Sequence, residues 1–341
     1  MQTILKHEKI KKTFYISIIL IIILFTFSTI TFGNVIKVEI KNPYNEIDWD
    51  NINYYKANLH THTTESDGDH LPNIVINHYR NNNYDILAIT DHNKNTWPWE
   101  KYEININEIN MIPISGSEIS ETHHLGSYFC NYASTESSED KVLKAIKEEE
   151  GLAVFFHPGR YSKSIAWYKY FYEKYDHLVG IEVFNKNDRY RFDRRLWDQL
   201  LFSLMPDNPV WGFGNDDMHV IDSDFGWHYN IFLLEENTRN NIKNAMINGH
   251  IYIYNPRQQA DQVRFWISKV EIKNNKIYLS IEGDYEKIEW ISYNTIKQRS
   301  EVLSEGNSIN IEEIKYKTNF VRAKIISSHG TIYTQPFGIK F

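Results

Sequence analysis

Short apolar runs alternating with helical stretches between Asn53 and Glu235 predict an α/β fold built from βα units, as a parallel layer or a barrel. Two further observations fill in that picture. Residue types able to bind metals or move protons stand at the ends of the apolar runs, where such folds gather their chemistry. After His250 the helical periodicity gives way to alternating runs separated by turn signals, which predicts a small antiparallel β-sandwich.

The expected strands are residues 54–60, 85–90, 111–115, 126–131, 152–157, 178–184 and 210–214. Each is a short apolar run bounded by polar or turn-forming residues. Helices are expected over 72–82, where a proline suits a first turn, over 138–149, which opens with acids, and over 188–204, where apolar residues recur at helical spacing. A helix over 237–248 closes the unit, with Gly249 as its C-cap. Beyond it, the runs beginning at Arg264, Lys276, Lys287 and Phe320 alternate with period two, and Asn-Asn, Gly-Asp and His-Gly turns separate them. The expected organisation is an α/β domain over 53–255 and a β-sandwich domain over 260–341.

The N-terminal residues 1–33 stand outside this pattern. Lys6, Lys9, Lys11 and Lys12 precede an uninterrupted apolar stretch from Phe14 to Phe27, and small residues follow around Ser28, Thr31 and Gly33. That is the arrangement of a secretory signal peptide, or of a retained membrane anchor, since the stretch approaches the roughly 20 residues that span a bilayer. Either reading puts the rest of the chain outside the cytoplasmic membrane, secreted or anchored.

Composition narrows the function classes. The chain has 341 residues with 37 basic and 44 acidic side chains, a net charge of −7 that argues against general nucleic-acid binding through a basic surface. A single cysteine, Cys130, excludes an intrachain disulfide framework and a thiolate zinc cage. Fourteen histidines are left to explain, and many of them fall at the ends of the expected strands.

His60 and His62 end the first strand at i and i+2, so both imidazoles lie on one face and can share a divalent ion. Asp67, followed by Gly68, adds a hard oxygen ligand within loop reach. The run from Tyr84 delivers Asp91 and His92 together, and Glu118 follows the third strand. His123 and His124 are adjacent before Leu125; neighbours on a strand face opposite ways, so one of the two reaches the site. His157-Pro158-Gly159-Arg160 places an imidazole on a rigid turn with a guanidinium three residues on. Asp217 and His219 again stand at i and i+2.

These motifs, in this order, resemble the PHP (polymerase and histidinol phosphatase) superfamily of metal-dependent phosphoesterases over about residues 53–255. The segment Ile332-Tyr-Thr-Gln-Pro-Phe337 resembles a β-domain appended to some members. The resemblance implies a distorted seven-stranded (βα) barrel with two or three divalent metals at its strand ends. It implies that His60, His62, Glu118 and Asp217 hold one ion, and that Asp67, His92 and His219 hold a second. Glu118 would bridge to a third held by His157 and by His123 or His124. Arg160 and Asp91 take catalytic, substrate-side places in that reading, with Glu182 and Asn185 supporting the ligands.

An imidazole and carboxylate shell without thiolates suits Zn²⁺, Mn²⁺ or Fe²⁺ more than Ca²⁺ or Mg²⁺. Closely spaced metals generate a hydroxide nucleophile near neutral pH, which removes the need for a protein nucleophile. No G-x-S-x-G elbow is present. The expected function is an exported phosphoesterase acting on a small or exposed phosphate ester. Its rivals are a carboxylic ester or amide hydrolase on the same metals, and a metal-containing binding protein without turnover. Aromatic-rich stretches at Trp97–Trp99 and Tyr161–Tyr172 are expected to pack in loops and core.

Overall fold

The computed structural model describes residues 38–314 and 318–341, so the expected leader over 1–33 lies outside the described residues. Residues Val38–Lys340 form one compact unit. No helix among the described residues is long and apolar enough to cross a membrane.

The first three strands of the α/β region are β2 (Asn53–Asn58), β3 (Ile86–Ala88) and β4 (Ile112–Ile114), after a short β1 (Glu39–Lys41). β2, β3 and β4 pair in parallel. All three residues of β3 are buried, as a parallel strand covered on both faces requires. The chain then leaves this sheet at Ser115 and starts a second one, made of β5 (Gly116–Ile119), β6 (Leu125–Tyr128), β7 (Leu152–Phe155), β8 (Leu178–Asn185) and β9 (Trp211–Asn215). Here β5, β6 and β7 pair antiparallel, and β7, β8 and β9 pair parallel. Single bridges between His92 and Glu118 and between Thr61 and Met218 bring the ends of the two sheets together.

The helices follow local sequence. Helix Pro72–Asn81 has its proline in the first turn, where no backbone donor is needed, and buries Val75, Ile76 and Tyr79. Helix Glu139–Glu148 carries Glu139 and Asp140 in its first turn, favourable to the helix dipole, and buries Val142, Leu143 and Ile146. Helix Arg239–Asn248 starts at Thr238, whose side chain accepts from Asn241 N, and ends at Gly249 in the left-handed conformation (φ 75°). The helix expected over 188–204 begins later, at Asp193, because 186–192 form the loop that follows β8. Helix Ile165–Lys174, hidden in the sequence by its aromatic richness, is capped by Ser164 and buries Tyr168, Phe171 and Tyr172.

The observed pairing refines two expectations. Among the described residues the strands form sheets of eleven, five and three strands with no closed sheet, so the ladders show a mixed α/β arrangement and not a count of seven. The C-terminal strands are antiparallel, as expected, but most of them are continuous with the α/β sheet. The remaining strands are β10 (Tyr229–Leu234), β11 (Ile251–Pro256), β12 (Phe265–Lys273), β13 (Lys276–Gly283), β14 (Lys287–Asn294), β15 (Arg299–Glu305), β16 (Ser308–Asn310), β17 (Phe320–Ser327), β18 (Gly330–Thr334) and β19 (Phe337–Lys340). β18 pairs with β11, β11 with β10, and β10 with β2, so the β-rich C-terminal region extends the α/β sheet edge to edge. Only β12, β13 and β16 make a separate sheet. The physical reason is the outer edge of β11: a row of backbone donors and acceptors left unpaired there is a ready template for a further strand, and β18 fills it.

Candidate metal centre

The site lies where the two sheets meet, at the carboxyl ends of β2, β3, β7 and β9. Its construction begins with backbone. Gly68 packs against the loop between His60 and Thr63 so closely that a Cβ there would lie 2.7 Å from His62 C and O. Thr63 N and Thr63 Oγ1 donate to the two carboxylate oxygens of Asp91 (2.7 Å each), and Ser66 Oγ and Thr96 Oγ1 also donate to it. Asp91 was expected on the substrate side. It is instead buried and fully engaged in tying the loop of His62 to the exit of β3, so it is a positioning residue. His157 (φ 27°) and Asp217 (φ 44°) both hold left-handed backbone conformations. Such strain in non-glycine residues collects at functional sites, where the fold forces a side chain into place.

The polar side chains then converge on Glu118, which is buried in β5. Its Oε2 lies 3.2 Å from His60 Nε2, 3.1 Å from His62 Nε2 and 3.2 Å from His92 Nδ1. Its Oε1 lies 2.6 Å from His124 Nδ1 and 3.0 Å from His157 Nε2. Asp217 Oδ1 stands 3.3 Å from His60 Nε2 and 3.2 Å from His62 Nε2. Asp67 Oδ2 stands 3.4 Å from His92 Nε2 and 3.3 Å from His219 Nε2, and Asp67 Oδ1 is 3.5 Å from His62 Nδ1. Four overlapping groups of donor atoms result: His62-Asp67-His92-His219, His60-His62-Asp217, His60-Glu118-His157 and His92-Glu118-His124.

One histidine settles the chemistry of this donor set. His60 Nδ1 faces Glu182 Oε1 at 2.8 Å, and a carboxylate only accepts, so Nδ1 carries the proton. In neutral His60 the Nε2 lone pair then points at two carboxylate oxygens and at His62 Nε2, 3.1 Å away. Lone pairs do not converge like this in a buried site unless a cation lies among them. Without a metal, protons supply that charge. Burial opposes protonation of His60, but Glu182, Asp217 and Glu118 outweigh it and hold its pKa well above the usual histidine value. For His62 the same contest ends at about 9, burial losing to Asp217 and Glu118. Burial works to raise the Glu118 carboxyl, yet His60, His124 and His157 pull it well below its usual value. His92 goes the other way, to about 4, because burial outweighs Glu118. Three buried ring nitrogens, His62 Nδ1, His92 Nδ1 and His157 Nδ1, meet no partner in hydrogen-bonding geometry among the described residues, although carboxylate oxygens stand close to the first two. The donor set fits divalent cations.

The supporting residues fall into place around it. Glu182 accepts from His60 on one oxygen, together with Asn215 Nδ2 (2.8 Å), and from His157 N (2.8 Å) and Asn185 Nδ2 (3.2 Å) on the other. Carboxylates of this kind fix the tautomer and tilt of a ligating imidazole. Asn215 was not singled out in the sequence; its place at the end of β9, two residues before Asp217, was the available signal. Phe156 stacks on the His60 ring with centroids 3.8 Å apart.

The two adjacent histidines separate cleanly. His124 points at Glu118, whereas His123 is turned away from the cluster. His123 Nε2 pairs with Tyr168 Oη at 2.7 Å, and its ring packs among Phe155, Tyr161 and Trp167. Burial drives its pKa well below the usual histidine value. Of the two alternatives, His124 is the one that meets Glu118, and the side chain of His123 belongs to the aromatic core. Replacing His123 with phenylalanine is expected to leave metal content unchanged and to cost about 1–3 kcal/mol of stability through the orphaned Tyr168 hydroxyl. His124→Ala is expected to lower metal content. Metal analysis and denaturant titration of both variants check this.

A cleft of ≈ 400 Å³ opens over the cluster, and its lining combines Asp67, His92, His124, His157 and His219 with Arg160, Lys186 and Arg189. Lys186 and Arg189 were missed in the sequence. They lie in the loop directly after β8, and basic residues just past a site strand were the signal.

The sequence matches no protein-family model and no curated protein. Among solved structures, the chain is similar to a two-domain protein from Bacteroides vulgatus containing a predicted PHP-like metal-dependent phosphoesterase. The TM-score is 0.52 and identity 17%, over 86% of this chain and 88% of that one. It is also similar to a putative metal-dependent phosphoesterase from Bifidobacterium adolescentis (TM-score 0.40, 17% identity, 48% of this chain and 87% of that one). An amidohydrolase from Chromobacterium violaceum matches at TM-score 0.39 and 15% identity, over 49% of this chain and 89% of that one. The chain has a PHP-like fold, in agreement with the motif resemblance.

Proposed function

We propose that this protein is a metal-dependent phosphoesterase, with two or three Zn²⁺, Mn²⁺ or Fe²⁺ ions held by His60, His62, Asp67, His92, Glu118, His124, His157, Asp217 and His219. The observation that carries the reading is the juxtaposition of that donor cluster, buried around Glu118, with three cationic side chains in the lining of one cleft. Divalent cations bound there supply Lewis acidity and bring the pKa of water towards neutrality. The chain's own residues do the rest. Glu182 keeps the His60 proton on Nδ1 and leaves Nε2 as a donor. Arg160, Lys186 and Arg189 offer hydrogen-bond donors to the non-bridging oxygens of a phosphate, whose charge is retained as the ester bond breaks. The basic and apolar pattern of residues 1–33 supports export, with the enzyme acting outside the cytoplasmic membrane.

A carboxylic ester carries no such charge, so the basic rim favours phosphate over acetate. Turnover of p-nitrophenyl phosphate and p-nitrophenyl acetate by the metal-loaded protein is the test. Phosphate turnover is expected to dominate, and Lys186→Ala and Arg189→Ala are each expected to raise KM for the phosphate about tenfold without raising it for the acetate. Turnover of the acetate alone would overturn the phosphoesterase reading, and turnover of neither would favour a binding protein.

A further inference from the structure

A second cavity, of ≈ 440 Å³, lies at the opposite end of the same strands. Its lining includes Lys56 of β2, Asn82, Asp85, Tyr252 of β11, Gln262 and Trp266 of β12. Asp85 precedes β3, and Lys56 is four residues before His60, which places the cavity about 13 Å or more from the metal cluster along the strand. That end of a βα-built sheet is not where this fold carries its chemistry. The volume is in the range of small-molecule sites.

Three features of the cavity are unexplained by the fold itself. The Tyr252 hydroxyl is fully buried and has no hydrogen-bond partner among the described residues. A buried hydroxyl left this way costs stability, and it lies just beneath the cavity wall. The Lys56 ammonium makes no ion pair and no hydrogen bond among the described residues. It rests 4.0 Å from the centre of the Tyr84 ring and 4.3 Å from that of Tyr229, with three donors to spend. Burial lowers its pKa to about 8 against the opposing pull of Asp216 and Asp85, which marks it as poorly solvated. Third, Trp266 is 37% exposed on a strand whose alternate residues are buried, so a large indole is held at the mouth with part of its surface in water.

The chemistry of the lining selects the occupant. Lys56 and Asp85 together are electrically balanced, so the cavity has no net preference for an anion or a cation. Asn82 and Gln262 offer amide donors and acceptors in the same space. An indole surface beside amides, a carboxylate and an ammonium matches a ring that is apolar on its C–H face and hydroxylated at its edge. We propose that this cavity is a binding site for a neutral carbohydrate, separate from the metal centre. The occupant spans the junction between the large sheet and the three-stranded sheet, with its hydroxyls on Lys56, Asp85 and the amides of Asn82 and Gln262 and its ring against Trp266.

The test uses the full chain and a panel of glucose, galactose, N-acetylglucosamine and maltose, followed by calorimetry and tryptophan fluorescence. At least one sugar is expected to bind with one-to-one stoichiometry in the millimolar range or tighter. Trp266→Ala, at a partly exposed position, is expected to weaken binding at least about tenfold while leaving Tm unchanged. His62→Ala is expected to leave binding intact, which separates this site from the metal centre. No saturable binding by any of the four sugars would overturn the proposal. So would binding that is indifferent to Trp266→Ala, or preferential binding of glucuronate or inorganic phosphate through Lys56.

Discussion

Glu118→Gln is expected to strip the site of more than one cation and to lower phosphoesterase turnover by at least about 10³-fold. The argument rests on position. Oε2 of Glu118 faces His60, His62 and His92, and Oε1 faces His124 and His157, so this one carboxylate belongs to two of the four donor groups and touches the other two through shared histidines. Glutamine keeps the shape and removes the charge. One amide oxygen cannot replace two anionic oxygens on opposite sides, and the amide NH₂ would present donors where a cation is held. The fold is expected to survive, because neutral histidines tolerate an amide better than an unpaired charge would. Metal content, turnover and Tm measured on one preparation check the three statements together. A variant that keeps its metals and its rate would remove Glu118 from the centre of the site.

Arg322→Ala is expected to be the most destabilising single substitution in the C-terminal region, costing about 3–5 kcal/mol. Arg322 of β17 makes a bidentate pair with Asp198 of helix Asp193–Leu204, Nε to Oδ1 at 2.7 Å and Nη2 to Oδ2 at 2.8 Å, with Arg322 3% exposed and Asp198 fully buried. Ser300 Oγ adds a hydrogen bond to the same carboxylate at 2.5 Å. Truncating the arginine leaves a buried carboxylate without its counter-charge, which costs far more than the pair itself contributes. Replacing both partners with apolar side chains, Arg322→Met with Asp198→Leu, is therefore expected to recover most of the loss. Denaturant titration of the single and double variants measures it. The same result bears on architecture, because the pair fastens the C-terminal strands to a helix of the α/β region. A loss below about 1 kcal/mol would show that this fastening is energetically unimportant.

The residues that converge around Glu118 were partly legible in the sequence. Strand exits could be read because apolar runs end abruptly in residues such as His60, His92 and His157, and the i, i+2 spacing of His60 with His62 survives in the structure as two Nε2 atoms 3.1 Å apart. The choice between His123 and His124 could not be read. Both precede β6 in a loop, and strand alternation does not extend into a loop whose bend sets the phase. Asp91 misled for a related reason: a carboxylate beside a site histidine looks like substrate-side chemistry until Thr63, Ser66 and Thr96, scattered over more than thirty residues of sequence, are seen to surround it.

Sheet closure was not legible either. Hydrophobic periodicity reports which residues are buried, not which edge pairs with which, and the break at Ser115 that sends β4 and β5 into different sheets carries no apolar signal. The alternating runs after His250 gave β structure correctly. Their incorporation at the edge of the large sheet depends on pairing between β11 and β18, separated by more than seventy residues, and no local pattern encodes that. Lys186 and Arg189 were overlooked because a basic pair in a loop is ordinarily a solvated surface; only the folded chain brings them into the lining of the same cleft as the donor cluster.

The central claim is that the convergence of imidazoles and carboxylates around Glu118 is a metal centre. Elemental analysis of the wild-type protein, expressed and purified without chelator, tests it most directly. Two or three divalent transition-metal ions per folded chain, released by chelator together with activity, is the predicted result. A well-folded wild type carrying less than one ion per chain, and taking up none on addition of Zn²⁺, Mn²⁺ or Fe²⁺, would contradict it.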